Sequence, residues 1–387
     1  MTTAARTPPI ISKFPAMGTN IFTVMSSLAA ETGAVNLGQG FPDFDCDPKL
    51  VDAVTEAMRK GFNQYPPMTG VAPLREAISA KVEALYGRRY DPAAEVTVTA
   101  GATQAIITAV LALVKPGDEA IVLEPCYDSY VPNIELAGGT VVRVPLTPGS
   151  FRPDFARIAA ALTPRTRAII INSPHNPSGT VWTRDEMLQL QDLLAPTDVF
   201  VVSDEVYEHM VFDGQRHQSA ASFPGLAARA LIVSSFGKTC HVTGWKVGYV
   251  AAPAALTAEF RKVHQFNVFT VNTPMQYGLA SYMASPRPYL ELPAFYQRKR
   301  DLFRAGLAQT RFKLLPSEGT YFQCVDISQV SDLQEAEFCQ WLTREIGVAA
   351  IPLSAFYGSG FDQRVVRFCF AKKDETLRSA LDRLAKL

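Results

Sequence analysis

The chain has 387 residues, 48% hydrophobic and 19% charged, with 37 Lys+Arg balancing 37 Asp+Glu. That length buries a large core and divides into a major and a minor lobe. The even charge balance excludes a global field for nucleic acid or anionic membrane, and no apolar run approaches the ~20 residues of a membrane span.

The stretch from Lys13 to Ala34 has the outline of a signal peptide. Thr23, Ser26 and Ser27 interrupt its apolar run, however, while Ile21, Val24, Met25 and Leu28 fall at helical spacing, so a retained helix is expected. Residues 1–46, with their Pro and Gly clusters, read as an arm packed on the rest of the chain or on another subunit. Residues 47–285 form the large domain. Within it, apolar runs at Glu95–Thr99, Glu119–Leu123, Val141–Val144, Ala168–Ile171, Val199–Val202 and Leu231–Ser234 read as buried strands. Helical patterns lie between them at Pro73–Leu85, Thr103–Val114, Phe155–Leu162, Arg184–Leu194 and Ala255–Val263. Strands interleaved with helices imply an α/β fold with a mostly parallel, doubly covered sheet, whose ligands collect at the carboxyl ends of the strands.

After Ser285-Pro286-Arg287-Pro288 the pattern changes. A helix from Tyr289 to about Ala308, strands near Tyr321–Val325, Val348–Ile351 and Val365–Phe370, and a final helix make residues 286–387 a smaller α+β domain. Six scattered cysteines without a C-x-x-C pair suit a reduced, cytoplasmic protein with no disulfide frame or metal site. The terminal Ala385-Lys386-Leu387 is a near match to a peroxisomal address, but it closes an amphipathic helix through Leu377, Leu381 and Leu384.

Chemistry-bearing residues gather where strands end. Gly101, Ala102 and Thr103 open a helix whose N–H groups could hold a phosphate; alone, they also read as an ordinary helix start. Tyr127, after Glu124-Pro125-Cys126, could stack on a flat ring or fill core. Asn176, framed by Pro174 and Pro177, is a fixed donor or part of a structural turn, and His175 beside it reads as scaffold. Asp204 follows a buried run and either needs a cation, such as a protonated pyridine nitrogen, or a perturbed pKa, or simply caps the next helix or turn; Val206 and Tyr207 follow it. Lys238, in Ser234-Ser235-Phe236-Gly237-Lys238-Thr239, leaves a buried strand, where losing its proton and forming a Schiff base would make it useful; alone, the stretch also reads as a basic loop. Ser235 and Lys246 lie nearby in sequence. Arg367, inside the apolar strand Val365–Phe370, needs an anion: a ligand carboxylate or a structural partner.

Taken in order, these motifs resemble the class I aminotransferases of pyridoxal phosphate (PLP) fold type I, over essentially the whole chain. Asn36–Phe44 and Asn63-Gln64-Tyr65 are similar to the kynurenine/glutamine aminotransferase branch, and Met68–Val71, Gly244–Tyr249 and Val271–Pro274 are closer still to its bacterial methionine aminotransferases. The resemblance implies PLP as cofactor, with Lys238 forming the Schiff base and then shuttling a proton. It implies that Asp204 pairs with the ring nitrogen, that Asn176 and Tyr207 bond the ring oxygen, and that Tyr127 and Val206 cover the ring faces. Gly101, Ala102, Thr103, Ser235 and Lys246 would hold the phosphate, with Tyr65 reaching in from a partner subunit. Arg367, Asn176 and the Gly40 backbone would take the substrate carboxylate, and Phe22, Tyr65 and Phe269 would meet the side chain.

The reaction implied is ping-pong transamination of an apolar, sulfur-containing or aromatic L-amino acid with a 2-oxo acid, in a cytoplasmic homodimer with shared sites. Methionine is favoured, with phenylalanine, tyrosine, tryptophan, leucine and glutamine possible, while the lack of an extra arginine at these positions makes aspartate a poor substrate. Thr270 also stands where kynurenine-branch relatives have histidine. Alternatives on the same fold are a cysteine-S-conjugate or cystathionine β-lyase and a kynurenine aminotransferase. A PLP-binding transcription regulator is disfavoured, since roughly 45 residues before the large domain are too few for a helix-turn-helix module and linker.

Overall fold

A computed structural model describes residues 9–15 and 17–387. Seven strands form the central sheet, in the spatial order Val96–Thr99, Gly248–Ala251, Ala230–Ser235, Phe200–Asp204, Thr166–Asn172, Glu119–Glu124 and Thr140–Pro145. All neighbours are parallel except Gly248–Ala251, which runs antiparallel to the strands on both sides. The six strands expected from apolar runs are present, along with the interleaved helices. Gly248–Ala251 is the strand missed, being four residues long and opening on glycine.

Successive strand residues point to opposite faces, and the core divides accordingly. Ile121, Ile169, Ile171 and Val201 belong to the larger core on one face. Ala120, Val122, Ala168, Ile170 and Val202 pack on the other, beneath Ile106, Ala109 and Val110 of helix Gly101–Leu113 and Phe260 of helix Ala254–Asn267. Both faces are covered, so the strands need apolar residues at every position.

The C-terminal part has a four-stranded sheet in the order Ile351–Pro352, Val365–Cys369, Phe322–Asp326 and Lys313–Leu314. Two expectations are corrected here. The stretch Val348–Ile351 is not one strand: Val348–Ala349 pairs in parallel with Val35–Asn36 of the N-terminal arm, and Ile351–Pro352 pairs with Val365–Cys369. The helix expected from Tyr289 to Ala308 is two, Arg287–Leu290 and Leu292–Leu307. Pro293 lies in the first turn of the second, where its missing N–H costs nothing.

The arm forms the helix Ile21–Thr32, which buries Met25 and Leu28, and Leu37 O then accepts from Cys369 N at 2.7 Å. The arm is thereby laid against the strand that carries Arg367. No described helix is long and apolar enough to cross a membrane.

Candidate active site

Four of the parallel strands deliver their carboxyl ends to one cavity of ≈ 250 Å³, and the arm and the C-terminal sheet close it. Of the residues singled out from the sequence, Phe22, Gly40, Gly101, Ala102, Thr103, Tyr127, Asn176, Asp204, Val206, Tyr207, Ser235, Lys238, Lys246 and Arg367 all line it. Tyr65 and Phe269 do not. They pair edge-to-face at 5.5 Å and are exposed, at 81% and 47%.

Lys238 sits on the single helical turn Phe236–Thr239 directly after strand Ala230–Ser235. Its Nζ donates to Tyr321 Oη at 2.8 Å and to Gly40 O at 3.2 Å, with the rings of Tyr207 and Tyr321 at 5.5 and 5.4 Å. These partners are neutral. Burial therefore dominates and pushes the ammonium pKa down to about 8. At pH 7 roughly one such lysine in ten is a free amine, against fewer than one in a thousand for an ordinary lysine.

Asp204 ends strand Phe200–Asp204 and is buried. Burial pushes its carboxyl up to about 6, although Tyr130 Oη donates to Oδ2 at 2.6 Å and Val206 N donates to Oδ1 at 3.2 Å. A carboxylate so placed gains from any cation that enters the cavity. Tyr130 had no signal in the sequence, since 74 residues separate it from Asp204.

Helix Gly101–Leu113 begins at the cavity wall, and no side chain caps its start. Its first N–H groups and its positive dipole end are left for an anion. Gly101 has φ +79°, and a Cβ there would meet Lys246 Cε and Nζ at 3.3 Å. Gly248 is tighter: its Cβ would lie 2.6 Å from Ser234 O and 3.2 Å from Ala102 N. Two glycines thus let the helix start, Lys246 and strand Ala230–Ser235 close into one small cationic cup.

Arg367 stands opposite, in the middle of strand Val365–Cys369 and 1% exposed. Nη1 donates to Asn176 Oδ1 at 2.6 Å and Nη2 to Gly38 O at 3.2 Å, while Nε has no partner among the described residues. Both acceptors are neutral, so the guanidinium has no structural ion pair there. Phe322 and Phe22 lie 3.9 and 5.3 Å from it, giving aromatic faces but no counter-charge. Asn20 positions Phe22: its Oδ1 accepts from Phe22 N at 2.7 Å, and its Nδ2 donates to Asp128 Oδ2 at 2.5 Å.

His175 is scaffold. Its ring bonds Ser178 Oγ at 2.6 Å and Pro125 O at 2.9 Å, and burial pushes its pKa down to about 4. Asn172, not singled out beforehand, also lines the cavity and accepts from Asn176 N at 2.8 Å.

The cavity therefore offers an uncapped helix start with a lysine, a buried carboxylate seeking a cation, a partly neutral lysine and an unpaired arginine. That donor set fits a flat, phosphorylated ring with a basic nitrogen, together with a small carboxylate.

The fold is that of the PLP fold type I aminotransferases, and the family model for aminotransferase class I and II matches residues 32–384. The chain belongs to that family. It is 53% identical to the methionine aminotransferase of Escherichia coli K12, over 97% of this chain and 98% of the other. It is 43% identical to a probable N-succinyldiaminopimelate aminotransferase, DapC, of Mycobacterium tuberculosis, over 97% and 98%. Human kynurenine–oxoglutarate transaminase 1 is 36% identical over 93% of each chain. The crystal structure of E. coli YbdL, described as having a methionine aminotransferase function, superposes with a TM-score of 0.96 over 98% of this chain and 100% of that one.

Proposed function

We propose that the protein is a PLP-dependent transaminase that moves the amino group of an apolar, sulfur-containing or aromatic L-amino acid, methionine first among them, to a 2-oxo acid. The observation that carries this reading is the buried Arg367, with no carboxylate partner among the described residues and a free Nε, on the same cavity as Lys238. One group can fix a carboxylate while the other handles a proton.

When bound, PLP supplies the electron sink that makes the amino acid Cα–H acidic and stores the amino group between the two substrates. The chain's own residues do the rest. The N–H groups from Gly101 to Thr103, with Ser235 and Lys246, hold the phosphate. Asp204, its ionised form favoured by a facing cation, keeps a proton on the ring nitrogen. Tyr207 and the free Nδ2 of Asn176 donate to the ring oxygen, and Tyr127 and Val206 cover the ring and exclude water. Arg367 binds the substrate α-carboxylate as a two-pronged donor. Lys238, as a free amine beside the substrate, would be the base that takes up and gives back the Cα proton.

Phe22 and Phe322 make the nearby wall apolar, which favours methionine over substrates with a charged side chain. The 53% identical relative, a methionine aminotransferase, supports the same preference. A homodimer would bring Tyr65 and Phe269 of a second copy to this mouth. Their exposure supports that arrangement, and six unpaired cysteines, five of them buried, support a cytoplasmic protein.

A donor panel with 2-oxo acid acceptors tests the reading. Methionine should yield 2-oxo-4-methylthiobutanoate faster than aspartate yields its oxo acid. Pyruvate as the dominant product from cystathionine, with no oxo acid from methionine, would replace transamination by β-elimination.

A further inference from the structure

Behind the cavity wall a single buried carboxylate ties together three of the segments that form it. Glu208 Oε1 accepts from Lys81 Nζ at 2.6 Å, Ser234 Oγ at 2.5 Å and Tyr249 Oη at 3.0 Å, while Oε2 accepts from Tyr86 Oη at 2.6 Å. Lys81 spends its two other donors on Tyr249 Oη at 2.7 Å and His209 Nε2 at 3.3 Å. The imidazole is available as an acceptor, because burial pushes its pKa down to about 3. Every proton of the ammonium is used.

The sequence neighbours of these groups are what matter. Glu208 directly follows Tyr207, Ser234 directly precedes Ser235, and Tyr249 directly follows Gly248. Glu208 and Ser234 are therefore one residue from groups that line the cavity, and Tyr249 is one residue from the glycine packed against Gly101 and Ala102. Lys81 and Tyr86 belong to helix Ala72–Tyr86, which contributes nothing to the cavity lining and serves as the anchor. Arg367, Asn176 and Gly38, at the carboxylate end, have no bond to this network. A fully buried ion pair is seldom worth more to stability than an apolar pair of the same volume, so a stability role alone gives little reason to keep one here.

We propose that Glu208, held by Lys81, is a positioning residue for the cofactor end of the site: it sets the register of the Tyr207, Ser235 and Gly248 segments and leaves the carboxylate end untouched. The proposal rests on the PLP reading above.

The test uses the full-length protein and PLP itself. Replacing both charges, Lys81→Met with Glu208→Met, also takes the acceptor from the Ser234, Tyr86 and Tyr249 hydroxyls, so the PLP-free protein should melt several degrees lower, and the ligand measurements are made at a temperature where it is folded. PLP affinity, read by absorbance titration, should fall about ten-fold, and kcat with methionine should fall likewise, while the methionine KM stays within about two-fold. Ser234→Ala leaves the ion pair whole and should weaken PLP binding about three-fold; it carries the test if the double variant does not fold. Wild-type PLP affinity and kcat in the variants that fold would overturn the proposal, as would a raised methionine KM with unchanged PLP affinity. Failure of the wild-type protein to bind PLP, measured in parallel, would instead defeat the cofactor reading.

Discussion

Arg367 Nη1 donates to Asn176 Oδ1 at 2.6 Å, joining residues 191 positions apart. A guanidinium has no acceptor, so this contact fixes which end of the amide faces it and frees Asn176 Nδ2 as a donor. One contact thus prepares two binding directions, arginine toward a carboxylate and amide nitrogen toward a second oxygen.

Arg367→Lys should therefore act on substrate rather than cofactor. A lysine keeps the charge but loses the planar fork, and one lost charge-assisted bond is worth about 2 kcal/mol. The methionine KM should rise about thirty-fold, with PLP affinity within two-fold of wild type. Steady-state kinetics beside a PLP titration check this; an unchanged KM would remove Arg367 from the site.

Asp204→Asn should separate stability from function by pH. The folded-state pKa of about 6 lies above the usual 3.8, so the PLP-free fold holds this proton more tightly than the unfolded chain does. The stabilisation is complete below pH 3.8 and is lost as pH rises through about 6, a difference of about 3 kcal/mol. PLP-free Asp204→Asn should then melt higher than wild type at pH 8 and equally at pH 4. Its PLP affinity should be lower at pH 8, by about a hundred-fold, and should lose the wild-type decline as pH drops below about 6. Calorimetry and titration at the two pH values decide it.

Gly101→Ala should damage phosphate binding. At φ +79° an L-residue is strained by about 1–2 kcal/mol, and the new methyl would stand 3.3 Å from Lys246 Nζ. PLP affinity should fall at least ten-fold, and pyridoxal, which lacks the phosphate, should lose far less. Equal losses for the two ligands would place the phosphate elsewhere.

If Tyr65 and Phe269 serve a neighbouring subunit, inactive variants should complement each other. Lys238→Ala and Tyr65→Ala proteins, mixed under conditions that exchange subunits, should form hybrids with one intact site and regain activity. A mixture no more active than its parts would confine the site to a single chain.

Much of this was legible in the sequence because parallel strands buried on both faces are written as unbroken apolar runs; Val199–Val202 and Leu231–Ser234 lie within two residues of the strands observed. Residues at the ends of those runs, Asp204 and Lys238 among them, were marked by chemistry out of keeping with their surroundings. Tyr130, Tyr321 and Glu208 were not. A tyrosine or glutamate carries no local sign that it will meet a carboxylate 74 residues away, a lysine 83 away or a buried ammonium 127 away. The division of the Tyr289–Ala308 helix was readable in principle from Pro293, whose position favours a helix start over a helix interior.

The most direct test of the central claim is the visible spectrum of the purified protein incubated with PLP. The wild type should show the long-wavelength band of lysine-bound PLP, and methionine alone should convert it to the shorter-wavelength absorption of pyridoxamine phosphate with release of the 2-oxo acid. Lys238→Ala should lack the lysine-bound band. A wild-type protein that takes up no PLP, or a Lys238→Ala variant that keeps the band and its response to methionine, would contradict the account.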